Sequence, residues 1–225
     1  MRKNQTASLN LERDLIARGY RCIAGIDEAG RGAWAGPVVA GAVVLPLERD
    51  DLPQTLEGVY DSKQISAQMR QSLIDQIKAT ALGWGVGRAE ASEIDEYGIV
   101  SATCLAMRRA VDALLAQAPQ LNPDYLLLDQ INWRGFPNRA IDYQTVIRGD
   151  SLSLSIAAAS ILAKVSRDTW MVEYDAAYPH YGFAEHKGYG VRQHQAALRE
   201  HGASPLHRMT FEPLRPKLLP IEETE

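Results

Sequence analysis

The chain contains little cysteine, no excess of positive charge and no long apolar run. Its 225 residues include two cysteines, Cys22 and Cys104, and both fall in apolar surroundings. Two such thiols supply neither a disulfide framework nor a paired metal site, so we expect buried free thiols in a reducing cytoplasm. The longest apolar run, Val38 to Leu45, suits a buried strand and is too short to cross a bilayer. A disulfide-rich secreted fold and a membrane anchor are therefore not expected.

The amino-terminal residues lack the apolar segment of a secretory signal. We expect residues 1–20 to form a short leader and residues 218–225 to form an acidic tail. Residues 21–217 are long enough for one substantial core, which predicts a single domain with a carboxyl-terminal helical region from about residue 178. The sequence predicts a monomeric cytoplasmic protein with no membrane contact.

Positive charge is scarce overall but is concentrated near the carboxyl terminus. The formal net charge is −4, which does not indicate nucleic-acid binding by the molecule as a whole. Residues 186–217 nevertheless carry six basic side chains against two acidic ones. The basic residues are Lys187, Arg192, Arg199, Arg208, Arg215 and Lys217. A solvated helical face with a tail and a phosphate-contacting surface both explain this pattern.

Alternating and helical apolar patterns predict an α/β fold. Three strands read as an antiparallel meander, and two later strands return through helices, so they should pair in parallel. The predicted strands cover residues 21–28, 36–46, 82–88, 125–129 and 141–147. One predicted helix follows a cap at Ser66, and two others cover residues 101–116 and 153–174. The pattern predicts a mixed five-stranded sheet flanked by helices, with a carboxyl-terminal helical extension.

Acidic residues recur where the predicted strands end. Asp27 and Glu28 close the first strand and precede a glycine-rich turn that contains Arg31. Asp129 ends the fourth strand, and Asp150 follows the fifth. Two negative charges at an apolar strand end are costly unless a cation binds them. A fourth strand parallel to the first would lie about 4.8 Å away and would bring its acid to the edge where open α/β sheets bind ligands.

An all-oxygen set of acids favours Mg²⁺ or Mn²⁺ over zinc, and such sites typically catalyse phosphoryl transfer. The alternative is that each acid is a helix cap, a turn residue or an ion-pair partner. Consecutive strand residues point to opposite faces, so we expect the strand to bend or bulge at Glu28, aided by Gly30 and Gly32. A dinucleotide-binding interpretation of Gly30–Gly36 fails, because a strand and not a helix follows it.

Six short motifs follow one another along the chain. They occupy residues 25–32 (GIDEAGRG), 61–63 (DSK), 128–129 (LD), 148–151 (RGDS), 158–168 (AASILAKVSRD) and 186–189 (HKGY). Together they resemble the motifs of bacterial ribonuclease HII, the type 2 ribonuclease H family, over roughly residues 21–212. The resemblance implies a ribonuclease H-like fold and makes residues 21–217 the catalytic domain.

The resemblance also implies an activity. That family hydrolyses the RNA strand of RNA–DNA hybrids and nicks duplex DNA on the 5′ side of an embedded ribonucleotide, leaving 5′-phosphate and 3′-hydroxyl ends. By resemblance, Asp27, Glu28, Asp129 and Asp150 are the catalytic acids and bind Mg²⁺ or Mn²⁺. Ribonucleotide excision repair and primer removal both remain open as biological roles.

The same resemblance implies a set of substrate-binding residues. Gly30, Arg31 and Gly32 would contact the backbone around the ribonucleotide's 2′-hydroxyl, and Tyr189 would complete recognition of the junction with the next deoxyribose. Lys63 would bind the nucleic-acid backbone. The physical chemistry agrees, since the 2′-hydroxyl is the group that separates RNA from DNA, and glycines let main-chain amides approach it.

Two alternatives stay open at this point. A type 3 ribonuclease H shares the chemistry but carries a sizeable amino-terminal domain, for which we expect the leader to be too short. A catalytically silent nucleic-acid-binding relative should lack one or more of the acids. The chain departs from the family pattern at Ala33-Trp34, Gln64, Gln130 and an insert at 132–139, none of which removes an acid.

Three more residues have no assigned role in the reaction. We expect Asp168 to form a structural ion pair, whereas Lys164 and His186 each allow a structural or a functional interpretation.

Overall fold

Five strands form one mixed sheet in the computed structural model, which describes residues 6–137 and 140–214. The strands are β1 (Ile23–Ala29), β2 (Val38–Val44), β3 (Gly83–Ala89), β4 (Tyr125–Asp129) and β5 (Asp142–Val146). Their order in the sheet is β3-β2-β1-β4-β5. β1, β2 and β3 pair antiparallel, whereas β4 pairs in parallel with both β1 and β5. The predicted fold class is confirmed, and so is the parallel pairing of the first and fourth strands.

Two long helices cover the opposite faces of this sheet. The helices are α1 (Asn10–Ala17), α2 (Leu52–Thr55), α3 (Ala67–Thr80), α4 (Ala91–Tyr97), α5 (Ile99–Gln117), α6 (Gly149–Leu152), α7 (Leu154–Ala177), α8 (Phe183–His186) and α9 (Arg192–His201). α5 packs on one face and α7 on the other, in separate apolar clusters. Ser66 caps α3 as predicted, because its hydroxyl accepts a hydrogen bond from the Met69 amide at 3.2 Å. Within the described residues, no helix is long and apolar enough to span a membrane.

The two faces of β1 meet different helices, and this decides where its acids point. Ala24 and Ile26 belong to the apolar cluster that contains α5. Gly25 lies against α7 so closely that a Cβ atom there would collide with the Ser155 backbone. Since alternate strand residues share a face, Asp27 lies on the α7 side together with Gly25.

The break predicted in β1 at Glu28 is wrong. β1 pairs with β2 one residue to one residue through Ala29, and the chain leaves the sheet at Gly30, whose φ is +91°. The pairing of β1 with β4 stops earlier, at Ile26. β1 therefore extends past the carboxyl end of β4. Side chains from both faces of β1 reach the sheet edge at that end.

The amino-terminal segment, which the sequence predicts to be a leader, contributes α1 to this fold. Glu12 of α1 is fully buried, and its Oε1 accepts hydrogen bonds from the Ser153 hydroxyl at 2.6 Å and the Ser155 amide at 3.0 Å. This contact ties α1 to the start of α7, directly after Asp150. At the other end of the chain, the predicted acidic tail lies outside the described residues.

Candidate active site

Asp27 is the most deeply buried of the predicted acids, with 3% of its surface exposed. Its Oδ1 accepts a hydrogen bond of 2.6 Å from the Glu28 amide. Burial raises the pKa of Asp27 well above its usual value, and the neighbouring carboxylates of Glu28 and Asp129 raise it further. A carboxylate in this position gains stability from any cation that reaches it.

Glu28 is held by one partner and keeps one oxygen free of hydrogen bonds. Its Oε1 accepts a hydrogen bond of 3.0 Å from Arg31, whose side chain is partly exposed. Its Oε2 is buried and has no hydrogen-bond partner among the residues that the structure describes. Burial raises the pKa of Glu28, although Arg31 opposes the shift. This oxygen therefore remains available to a ligand that reaches the cluster.

Asp129 connects the end of β4 to the turn that carries Asp150. Its Oδ1 accepts a hydrogen bond of 2.8 Å from the Gly149 amide. Arg148, just before this amide, adopts a left-handed conformation with φ of 56°. The Asp129 carboxylate also acts electrostatically on Asp27, Glu28 and Asp150. The structure therefore brings all four predicted acids to one edge of the sheet.

Asp150 faces a fifth acid, which sequence reasoning did not assign to the site. Asp150 is 5% exposed, and its carboxyl group lies beside that of Asp61. Burial, followed by the charges of Asp61 and Asp129, raises the pKa of Asp150 to about 6. The sequence signal that could have assigned Asp61 to the site was its position at the start of the DSK motif.

Lys63 points toward the acids. Burial opposes its charged form, but the carboxylates of Asp27, Asp150, Asp61 and Asp129 outweigh that effect and raise the pKa of Lys63. The Lys63 amide donates to Asp61 Oδ1 at 2.9 Å, which fixes the backbone of the loop that carries Lys63. Lys63 and several of the acids line an open cleft of about 810 Å³. A bound nucleic acid or cation would therefore meet an ammonium group already directed into the acidic cluster.

The acids do not converge on a single point in this arrangement. Across the described ranges, no three Asp, Glu, His or Cys side chains are placed as ligands of one metal ion. Each acid has a neighbour in the protein instead: Asp27 has the Glu28 amide, Glu28 has Arg31, Asp129 has the Gly149 amide, and Asp150 lies beside Asp61. The donor set is all oxygen and includes the unpartnered Glu28 Oε2, so it fits a hard divalent cation in chemistry. Side-chain rotation is needed to complete the geometry.

A buried arginine holds the predicted substrate-binding turn through its backbone carbonyls. Arg208 is fully buried, and its guanidinium donates at 2.8 Å to the carbonyls of Gly30 and Arg31. It also donates to the Gly36 carbonyl, at 3.0 and 2.8 Å. Gly32 has open space around it. The turn is therefore fixed through its carbonyls, while one of its glycines faces solvent.

A second buried arginine links this turn to Tyr189. Arg167 donates to the carbonyls of Ala35, Pro37 and Lys187 at 3.0 to 3.2 Å. Its guanidinium carbon lies 5.5 Å from the centre of the Tyr189 ring, and 38% of the surface of Tyr189 is exposed. The structure thus places Tyr189 beside the glycine-rich turn, as the resemblance implies.

Sequence reasoning missed both arginines, because charged side chains are seldom fully buried. Neither arginine forms an ion pair with any residue that the structure describes. Burial lowers the pKa of Arg167 and lowers that of Arg208 to about 9. A phosphate-contacting role for Arg208, open in the sequence, is wrong, while Arg215 and Lys217 lie outside the described residues.

The predicted ion pair of Asp168 is confirmed. Its Oδ1 lies 2.7 Å from Lys164 Nζ, one turn earlier on α7, and its Oδ2 lies 3.9 Å from Arg70. Arg70 also donates to the carbonyls of Ser62 and Ile65, both at 2.6 Å. Lys164 and Asp168 therefore support the loop that carries the DSK motif and do not enter the acidic cluster.

A mixed sheet of this order, with carboxylates gathered at the ends of adjacent strands, defines a nuclease of the ribonuclease H class. Comparison with known proteins gives the particular family. The family model described as ribonuclease HII matches residues 24–213. The ribonuclease HII of Chloroflexus aurantiacus is 50% identical over 216 residues, which cover 96% of this chain and 98% of that protein. The chain belongs to the ribonuclease HII family, whose members hydrolyse the RNA strand of RNA–DNA hybrids.

Solved structures show the same fold at low sequence identity. The ribonuclease H2 of Pyrococcus horikoshii OT3 superimposes with a TM-score of 0.70 at 24% identity, covering 87% of this chain and 96% of that one. Bst-RNase HIII in complex with Mn²⁺ gives a TM-score of 0.67 at 19% identity, covering 87% of this chain and 68% of that one. These similarities agree with the predicted ribonuclease H-like fold.

Proposed function

We propose that this enzyme nicks duplex DNA on the 5′ side of an embedded ribonucleotide, in addition to cutting the RNA strand of hybrids. The observation that carries the proposal is the proximity of two features. Four acids gather at one sheet edge, Asp27 and Asp150 buried and the other two half-buried, and the turn of Gly30, Arg31 and Gly32 begins two residues after Glu28. A group bound at that turn lies next to the acids.

We further propose that Asp27, Glu28, Asp129 and Asp150 hold Mg²⁺ or Mn²⁺. A divalent cation in such a site activates water and stabilises the negative charge that develops on the leaving oxygen. Bst-RNase HIII, which shares the fold, has been solved with Mn²⁺. Glu28 offers its unpartnered Oε2, and Asp150 would exchange Asp61 for the ion.

The protein's own side chains position the reacting groups. Asp27 is kept in place by the Glu28 amide, and Asp150 completes the site or orients the attacking water for in-line attack on phosphorus. Cleavage of the bond to the 3′ oxygen leaves a 5′-phosphate and a 3′-hydroxyl. Lys63, close to the acids, would bind the phosphate backbone near the scissile bond.

The substrate would be recognised by the glycine-rich turn and Tyr189. Gly30, Arg31 and Gly32 would contact the backbone around the 2′-hydroxyl, because Gly32 leaves the main chain accessible. The exposed ring of Tyr189 would pack against the next deoxyribose. A ribonucleotide followed by a deoxyribonucleotide would satisfy both contacts, with the scissile bond on the 5′ side of that ribonucleotide.

The remaining predictions are also part of the proposal. The enzyme would act as a cytoplasmic monomer in ribonucleotide excision repair. Residues 21–217 would be its catalytic domain, with a carboxyl-terminal helical region from about residue 178. The catalytically silent alternative is disfavoured because all four acids are present and close together.

The test compares Asp129→Asn with Asp75→Asn, since Asp75 is exposed on α3, away from the site. Asp129→Asn keeps the shape of the side chain and removes a ligand charge, so we expect the single-ribonucleotide nicking rate to fall by at least about 100-fold. Asp75→Asn should match the unmodified enzyme. A folded Asp129→Asn protein that nicks at the normal rate would refute the assignment.

A further inference from the structure

Three of the chain's five histidines lie together behind Tyr189: His194 and His207 are hydrogen-bonded to each other, and His186 stacks on His194. His194 Nδ1 lies 3.0 Å from the Tyr189 carbonyl oxygen, and His194 Nε2 lies 3.0 Å from His207 Nε2. The Ser204 amide lies 2.9 Å from His207 Nδ1. His186 stacks on His194 with 4.6 Å between ring centres. None of these contacts belongs to the acidic cluster.

The partners of the network fix which nitrogen of each ring carries the proton. A carbonyl oxygen can only accept, so His194 Nδ1 carries a hydrogen and donates it to Tyr189. A neutral His194 then accepts at Nε2, which makes His207 the donor at its own Nε2. His207 Nδ1 is left as the acceptor that the Ser204 amide requires. The bonds from Tyr189 through His194 and His207 to the Ser204 amide are all satisfied with both rings neutral.

His186 obeys the same rule. Its Nε2 donates to the Tyr181 carbonyl at 2.7 Å, and its Nδ1 accepts from the Gly188 amide at 3.2 Å. The Gly188 carbonyl in turn accepts from the Trp34 amide at 2.8 Å, at the far end of the glycine-rich turn. The His186 imidazole thus holds the Gly188 amide, and the His194 imidazole holds the Tyr189 carbonyl.

Burial keeps the network neutral. His194 is fully buried and His207 is 2% exposed. Burial lowers the pKa of His194 and lowers that of His207 to about 4. Added protons would place two donors face to face at the His194–His207 contact, which is only 3.0 Å long. The arrangement is therefore a fixed one at neutral pH.

We propose that His194, oriented by His207, is a positioning residue that sets the Tyr189 main chain and thereby selects the junction between a ribonucleotide and a deoxyribonucleotide. This inference rests on the proposed role of Tyr189. The link is short, because the imidazole bonds the carbonyl of the recognition residue itself. A purely structural histidine would support the core without changing which substrate is preferred.

Two isosteric substitutions of His194 separate its two hydrogen bonds. His194→Asn places an amide donor where Nδ1 was and keeps the bond to Tyr189. His194→Gln places its amide where Nε2 was, which keeps the contact with His207 and loses the bond to Tyr189. His201→Gln is the matched control, because His201 is exposed on α9 and outside the network. Tyr189→Ala is the reference for loss of junction recognition.

The readout is kcat/KM on a single-ribonucleotide duplex divided by kcat/KM on a continuous hybrid, with Tm recorded for every variant. His194→Gln should lower this ratio about fivefold to tenfold, mainly through KM, which is the effect of one lost hydrogen bond. His194→Asn and His201→Gln should stay within about twofold of the unmodified enzyme. An unchanged ratio in His194→Gln, or an equal loss in His194→Asn, would overturn the inference.

Two further results separate the possible failures. If Tyr189→Ala leaves the ratio unchanged, the proposed role of Tyr189 fails and the inference fails with it. If Tyr189→Ala lowers the ratio and His194→Gln does not, only the inference fails. Should His194→Gln not fold, His207→Gln and His207→Leu repeat the comparison one step away, since glutamine keeps the donor to His194 and leucine removes it. An equal ratio in these two variants would also overturn the inference.

Discussion

The acidic cluster and the substrate-recognition elements lie side by side, yet they are built in opposite ways. In the acidic cluster, Glu28 Oε2 has no hydrogen-bond partner among the described residues and Asp150 lies beside another acid, so the charges are incompletely compensated. Around Gly30 and Tyr189, buried arginines and histidines satisfy the backbone carbonyls directly. The first region is prepared to change its partners when a cation arrives, whereas the second is already complete. This difference supports the proposal that the first region carries out the chemistry and the second recognises the shape of the substrate.

The largest effect should come from replacing Arg208, the buried arginine that holds the carbonyls of the glycine-rich turn. Arg208→Met keeps much of the side-chain volume but leaves the carbonyls of Gly30, Arg31 and Gly36 without their donors. We expect the free energy of unfolding to fall by about 3–5 kcal/mol. Urea denaturation measures the change, and Arg192→Met, on the exposed surface of α9, is the control. A loss below about 1 kcal/mol would show that the buried guanidinium does not hold the turn.

An intermediate effect should appear as pH dependence of stability. His207 has a pKa of about 4 in the folded protein and about 6.5 when unfolded. Between these values His207 binds more protons in the unfolded chain, so its contribution to the free energy of unfolding decreases as pH falls from about 6.5 to about 4, by about 1–2 kcal/mol after solvent screening. The raised pKa values of Asp27, Glu28 and Asp150 act in the opposite direction. His194, His186 and Tyr181 are the titratable neighbours packed against it.

His207→Gln cannot take up this proton, so its free energy of unfolding, measured by urea denaturation, should fall less or rise more than that of the unmodified protein as pH decreases over the same range. His201→Gln should keep the original slope, because His201 lies outside the buried network. Identical slopes for all three proteins would contradict the assignment of the lowered pKa to His207.

The smallest effect on stability should come from a substitution beside the acidic cluster. Arg31 is partly exposed and bonds Glu28 at 3.0 Å, an arrangement that usually contributes less than about 1 kcal/mol. Arg31→Gln should therefore change the free energy of unfolding by less than about 1 kcal/mol and leave the recognition turn in place. Arg18→Gln, which removes an exposed pair with Asp14, is the control. A loss as large as that of Arg208→Met would remove the contrast between the two regions.

The sequence was sufficient for the sheet and for the acids. Apolar alternation located the strands, and the expected parallel pairing of β1 with β4 placed Asp27 near Asp129 at one edge. These predictions depend on local periodicity and on general rules of chain connection, which a single sequence carries. The regular path of β1 through Glu28 was not predictable, because it depends on where the shorter strand β4 stops pairing.

The supports of the recognition elements could not be predicted from the sequence. Arg208 bonds the Gly30 carbonyl 178 residues earlier, and Arg167 bonds the Pro37 carbonyl 130 residues earlier. Backbone carbonyls are present at every residue, so no sequence pattern marks the ones that a distant arginine binds. Asp61 was missed for a related reason: its contact with Asp150 depends on how a loop folds over the sheet edge.

The most direct test is a crystal structure with Mn²⁺ and a single-ribonucleotide duplex that resists cleavage. We predict that Glu28 leaves Arg31 and that Asp150 leaves Asp61, with both acids turned toward the metal. The bonds from Arg208 to Gly30 and from His194 to Tyr189 should stay as they are. A structure in which the acids keep their present partners while the recognition turn rearranges would contradict the division of roles between the two regions.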